Sequence, residues 1–258
     1  MTYKTEEYVV AFLDVLGATK EIQKDSDGSL NIVHNVYNNA LRSCEELYDD
    51  EEIKGLKPIV RIFSDNIVIA VPTKGNTVFS AFVSVVILCG LIQHEFLQYR
   101  CLVRGGIATG DFFADETMIW GNALLNAYYT ENKISIYPRI VIHPATTKKL
   151  SLAIEELKEK WVAEDADGLV FVDYMREKSF ASKFNFVELI HHRLHECEKM
   201  LEQAGDDIKV GQKIRWHKTY LLSKIDICSL DYSEILSREI RKLEAKTREV
   251  EQRRHHNR

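Results

Sequence analysis

The chain lacks a disulfide framework. Its five cysteines, Cys44, Cys89, Cys101, Cys197 and Cys228, are odd in number and form no CxxC pair, as expected of reduced, packed thiols in a cytosolic protein. No secretory leader is expected either: MTYKTEEYVV carries acids ahead of its short apolar run and no basic segment. The longest apolar stretch, Val78 to Ile92, is fifteen residues with Ser80 and Ser84 inside it and Gln93-His94-Glu95 after it. That falls short of the roughly twenty residues a bilayer span requires, so it reads as a buried helix, and a cytoplasmic location without a membrane partner is expected. There is no GxxxxGK[ST] phosphate loop, no HExxH pattern and no nucleophile elbow. His191, His192 and His195 offer an i,i+4 pair but no convergent cysteine, so no zinc site is expected. A net charge of -5 gives no global attraction to nucleic acid. A small anionic ligand at a local site is expected instead.

What is present is enough apolar side chain, 45% of 258 residues, for a packed core. Tyr8 to Leu13 is a continuous β-prone run ending in Asp14-Val15-Leu16-Gly17, the pattern of a central strand with a polar residue at its tip. Ile32 to Leu47 has helical spacing, and the Asp49-Asp50-Glu51-Glu52 run after it reads as a solvated turn. Ile59 to Phe63 and Ile67 to Val71, separated by Ser64-Asp65-Asn66, read as a hairpin with Asp65 in its turn. A strand from Cys101 to Ala108 follows the long apolar helix. Its Arg104-Gly105-Gly106 marks close approach of another backbone. Gly121 to Glu131 reads as a helix, Ile140 to Ile142 and Leu169 to Val172 as short strands.

Strand, helix, hairpin, helix, strand is the plan of an α+β, ferredoxin-like domain, with helices over one face of an antiparallel sheet. It is expected to span residues 5–175. Residues 176–258 are expected to form a C-terminal helical extension, with helices over Phe184 to Leu201 and Gln212 to Lys224. Leu236, Ile240, Leu243, Thr247 and Val250 carry a short heptad pattern, and Arg253 to Arg258 read as a solvated basic end.

Two aspartates at neighbouring strand ends suit a shared divalent ion. Unaccompanied they repel; a hard cation accepts both oxygens and can bridge them to a nucleotide's phosphates. Two turn aspartates with no shared role remain the alternative on spacing alone.

AFLDVLG at 11–17, IFSDNIVIA at 62–70, RGGIATGDF at 104–112 and WGNALLNAYYTE at 120–131 resemble, in order, the motifs of class III nucleotidyl cyclases, whose catalytic domain is of this palm type. The resemblance covers about residues 8–131. It lies closest to the bacterial pyrimidine (uridylate and cytidylate) cyclases of anti-phage Pycsar-type systems. It implies that Asp14 and Asp65, with the Val15 carbonyl, hold two Mg²⁺ or Mn²⁺ ions over a nucleoside triphosphate, and that Gly17, Ala18 and Thr19 cradle phosphate oxygens. Arg61, four residues before Asp65, matches the base-reading position. Its donors suit pyrimidine carbonyls, UTP before CTP. Met118 stands where an aspartate would accept from adenine, which disfavours ATP.

The family's transition-state Asn and Arg positions are Leu125 and Tyr129 here, so another cation must serve, with Arg104 and Lys133 the candidates. The resemblance further implies a homodimer with composite active sites, and a product that activates a separate effector binding cyclic nucleotides. A palm-type diguanylate or polymerase-like enzyme, and a degenerate nucleotide-binding or dimerising module, remain alternatives.

Overall fold

β-Branched and aromatic residues without proline make Glu6–Leu16 a strand, β1, and Val9 to Leu13 are buried on both of its faces. A strand that is apolar on both sides has to be central. In the structure, a computed structural model that describes residues 3–47, 57–74, 77–158, 160–175 and 183–225, β1 is flanked by two antiparallel partners. They are β3 (Asn66–Pro72) and β4 (Leu102–Ala114), and β2 (Ile59–Phe63) pairs antiparallel with β3. Helices α1 (Ala18–Lys24) and α2 (Ser26–Leu47) connect β1 to β2, and α3 (Val78–Gln98) connects β3 to β4. The order β2-β3-β1-β4 is the split βαβ arrangement expected of an α+β, ferredoxin-like fold.

Two expectations change. The sheet is not wholly antiparallel. It continues past β4 through β6 (Ile140–Ile142), β8 (Val170–Val172) and β7 (Val162–Glu164), and β6 runs parallel to β4. Between β4 and β6 lie β5 (Ile119–Trp120), folded against the end of β4, α4 (Asn122–Tyr129) and a π-helical turn, Thr130–Ile134. Helices also cover both faces rather than one. Val9, Ala11, Leu13 and Val15 alternate toward α2 and α3, with Ile67, Ile69 and Val71 beside them. Val10, Phe12, Val68, Ala70, Ala108 and Phe112 face the other way and receive α4 through Ala123 and Ala127.

Helix α3 runs to Gln98, one residue beyond the Leu97 end expected from sequence, although the uninterrupted apolar stretch stops at Ile92. Gln93 is itself buried and donates to the Val103 carbonyl at 3.3 Å, and Phe96 and Leu97 carry the apolar stripe onward. Among the described residues α3 is the one helix long and apolar enough to cross a membrane. Here Phe82, Val85, Val86, Leu88, Ile92 and Phe96 are buried in the core.

Helices α5 (Pro144–Lys149) and α6 (Ser151–Leu157) follow β6. Helices α7 (Lys183–Ala204) and α8 (Ile208–Leu222) pack through Phe186, Ile190, Ile214 and Tyr220 onto Leu97, Leu102, Val141 and Phe171. Helix α8 starts before the expected Gln212 because Asp207 caps it, accepting from the Val210 amide at 3.1 Å. Polar bonds secure this layer: the Tyr220 hydroxyl donates to Asp173 at 2.7 Å, and Lys224 lies 2.6 Å from the other Asp173 oxygen. The Asp49–Glu52 run, the heptad pattern and the basic end lie outside the described residues.

Gly106 sits where α4 meets the sheet, and a Cβ there would collide with the Ala127 carbonyl oxygen and the Thr130 side chain. Gly106→Ala should therefore lower the unfolding free energy by about 1–3 kcal/mol, as overpacking does. Urea unfolding followed by circular dichroism reads this directly.

Candidate active site

Strand alternation turns Asp14 away from α2 and α3, onto the α4 side of the sheet. There it lies opposite Asn66 on β3 and Arg104 on β4. Pairing of Phe63 with Asn66 closes the β2–β3 hairpin with a two-residue loop, Ser64-Asp65. The Val15 amide donates to the Asp65 carbonyl at 3.0 Å, so the two acid-bearing positions adjoin where β1 meets the hairpin. Asn66 donates its side-chain amide to Asp65 Oδ1 at 3.1 Å. Ser64 holds φ at 56°, a left-handed conformation that costs a residue with a Cβ about 1–2 kcal/mol. Strain of this kind is tolerated where surrounding structure fixes it.

Arg104 occupies the middle of the site. Its Nε donates to Asp14 Oδ2 at 3.0 Å, and its Nη2 lies 2.7 Å from Glu131 Oε1, an ion pair made without hydrogen-bond alignment. Glu131 stands on the π-helical turn and its side chain is 4% exposed. Burial pushes its carboxyl above the usual range; the neighbouring Asp14 adds to this, and Arg104 and Lys213 oppose it. The turn itself is pinned by the Thr130 hydroxyl, which donates to the Asn126 carbonyl at 2.7 Å. π-Helical turns of this kind gather at functional sites because they re-aim side chains that a regular helix would point elsewhere.

The other predicted site residues fall around this centre. Gly17, with φ of 83°, caps α1 without a side-chain hydrogen bond, and Ala18 and Thr19 open that helix directly after β1. Arg61 shares the face of Asp14, one residue pair further along the sheet, but it is exposed and committed. Its guanidinium donates to the carbonyls of Val60 at 3.1 Å and Asp115 at 2.9 Å. Met118 is exposed on the loop between β4 and β5. Lys133 is exposed two residues beyond Glu131. Arg104 thus meets the Asp14 side chain and the Val15 and Asp65 backbones adjoin beside them, while Arg61 and Lys133 stand at the margins.

Glu131 and Lys213 were not foreseen. A strand arginine facing an apolar helix needs a buried acid, and that requirement was a usable signal for Glu131. Lys213 had none, because only tertiary packing of α8 brings it within electrostatic range of Arg104, Asp14 and Glu131.

Among the described residues no cluster of three or more His, Cys, Asp or Glu is available to a metal. Two carboxylates and a main-chain carbonyl nevertheless suit Mg²⁺, which takes few protein oxygens and fills its shell with water and phosphate.

No protein-family model matches the chain, and no curated protein does. Solved structures do. The monomeric guanylyl cyclase domain of the RhoGC fusion protein from the aquatic fungus Blastocladiella emersonii is 17% identical over 66% of this chain and 95% of that one, with a TM-score of 0.42. The guanylate cyclase domain of RhGC from Catenaria anguillulae in complex with GTP is 16% identical over 67% and 98%, with a TM-score of 0.37. The guanylyl cyclase Cya2 is 11% identical over 67% and 93%, with a TM-score of 0.35. No residue role passes between chains at these values.

Because the folded state raises the Glu131 carboxyl, its contribution to stability is complete below the unfolded-state value near 4.3 and is lost as pH rises through the folded one. Glu131→Gln should remove that pH-dependent component. Urea unfolding between pH 4 and 7.5 should show wild type losing stability relative to the variant as pH increases.

Proposed function

We propose that the chain is a metal-dependent nucleotidyl cyclase. It converts a pyrimidine nucleoside triphosphate, UTP before CTP, to the 3′,5′-cyclic monophosphate and pyrophosphate, as a cytoplasmic second messenger in anti-phage defence. The observation that carries this reading is the bond between the Val15 amide and the Asp65 carbonyl. It joins the strand end bearing Asp14 to the hairpin bearing Asp65, in the motif order that resembles class III cyclases.

Asp14, Asp65 and the Val15 carbonyl would hold two Mg²⁺ or Mn²⁺ ions. When bound, these supply charge neutralisation at the α-phosphoryl group and the departing pyrophosphate. Cyclisation forms a bond between the ribose 3′-oxygen and the α-phosphorus, breaks the bond to the β-phosphate bridging oxygen, and releases the 3′-hydroxyl proton. The protein's part is positioning and electrostatics. Asp14 orients one end of the substrate from the half-buried floor, Arg104 places a second charge beside it, and Gly17 to Thr19 offer main-chain amides to phosphate oxygens. Arg61 reads the base once its donors exchange the carbonyls of Val60 and Asp115 for those of a pyrimidine.

The site sits beside an apolar surface. Trp120, Leu125, Tyr128 and Tyr129 of β5 and α4 are exposed, at 66%, 62%, 46% and 53%. A second copy of the chain, burying these residues and completing a composite site, is the partner that suits such a self-complementary patch. A catalytically silent, nucleotide-binding dimer is the second reading, favoured by Leu125 and Tyr129 standing where the family carries its transition-state pair.

Pure protein incubated with Mn²⁺ or Mg²⁺ and each of ATP, GTP, CTP and UTP should give one cyclic pyrimidine product by mass spectrometry. Binding of a triphosphate without any product would favour the silent module. Asp65→Asn should reduce turnover by at least about a hundredfold, as loss of a metal carboxylate does. Leu125→Arg should convert dimer to monomer in analytical ultracentrifugation and abolish activity with it.

A further inference from the structure

The geometry points to Lys213 of α8 as a phosphate-binding cation of this site, contributed by a helix outside the motifs that hold Asp14 and Asp65. This rests on the nucleotidyl cyclase reading for the identity of the anion, though not for the placement of the charge.

Three observations converge. First, the strand ends carrying the site are also the floor on which α8 rests. Leu16 and Leu102 oppose each other across β1 and β4, each two residues from Asp14 and Arg104 respectively and on their face. Both belong to the cluster that contains Ile214 of α8, as does Ile134 at the end of the turn bearing Glu131. Lys213 is the residue next to Ile214.

Second, the rotation of α8 is fixed. Trp216 stacks on Tyr137 at 5.7 Å and on Tyr220 at 5.6 Å, and its indole donates to Asp165 Oδ2 at 2.9 Å. Asp165 is also paired with the buried Arg139, whose guanidinium lies over the Tyr137 and Trp216 rings. Tyr137 follows the Glu131 turn by three residues. Lys213, one helical turn before Trp216, therefore shares the side of α8 that packs against Tyr137, in the segment following that turn.

Third, Lys213 is half-buried and lies in the field of Arg104, Asp14, Glu131 and Asp207. Desolvation and the like charge of Arg104 both disfavour its ammonium, and the three carboxylates only partly offset them. Arg104 and Lys213 offset the carboxylates of Asp14 and Glu131, so divalent ions and a triphosphate can enter without leaving an unopposed charge. A lysine ammonium is a compact donor that suits a phosphoryl oxygen, and it would supply the positive charge that Leu125 and Tyr129 do not.

The test uses the full chain with Lys213→Met, Lys213→Arg and, as a control for charge on an exposed position of α8, Lys209→Met. Affinity for inorganic triphosphate in the presence of Mn²⁺ is measured by calorimetry, and turnover of each nucleotide is measured separately. Lys213→Met should weaken triphosphate binding about 10- to 100-fold, the range for a lost charge-assisted bond. Lys213→Arg should recover most of the loss, and Lys209→Met should stay within about twofold of wild type. A Met variant that melts with wild type and binds triphosphate equally well overturns the assignment. So does a wild type that binds no triphosphate. Lys213-dependent binding without turnover of any nucleotide would leave this assignment standing and remove the cyclase reading. Turnover that ignores Lys213 would do the reverse.

Discussion

Enclosure of β1 between two antiparallel partners constrains everything around it. With both ladders satisfied and both faces covered, the strand has no room for a polar side chain along Val9 to Leu13. Its first opportunity is Asp14, where α2 and α3 no longer matter and the opposite face opens toward the π-helical turn. The position of that carboxylate follows from the pleat. An aspartate one residue earlier or later would point into the cluster of Val85, Val86 and Ile92, where an unpaired charge is far too costly to bury.

Arg104 answers the same constraint from the neighbouring strand. Register places it opposite Asp14, and Gly106, two residues on, lets α4 and its π-helical continuation approach closely enough for Glu131 to reach the guanidinium. Removing the arginine would leave two carboxylates close together, one of them nearly inaccessible to water. The ion-pair chain is therefore structural and electrostatic at once: it holds the turn against the sheet and sets the local field on the α4 side of β1.

Much of this was legible in the chain's own pattern. β1, β2, β3 and β6 were readable because buried β-branched runs bounded by polar residues leave few other options, and the Ser64-Asp65 hairpin because so short a break between two such runs permits little else. The short helices α1, α5 and α6 and the two-residue β5 were not read, since segments this brief carry too few periods to declare themselves. The parallel β4–β6 pair and the second helical layer were missed for another reason. Both depend on where α4 and α8 dock, which is a property of assembled surfaces rather than of any local stretch. The same division runs through the site: Asp14, Asp65 and Arg104 announce themselves locally, whereas Glu131 and Lys213 arrive through packing.

The hairpin carrying Asp65 occupies the margin of the sheet, with β2 as its outermost strand and a strained serine at its tip. Margins of this kind open before centres do, and their amides trade hydrogen for deuterium sooner. Asp14 is carried by a strand paired on both sides, and Asp65 by a hairpin loop whose outer strand, among the described residues, is paired on one side alone. Any ion shared between them would be gripped firmly on one side and loosely on the other, so its residence time would be governed by fraying of the outer ribbon rather than by the strength of the core.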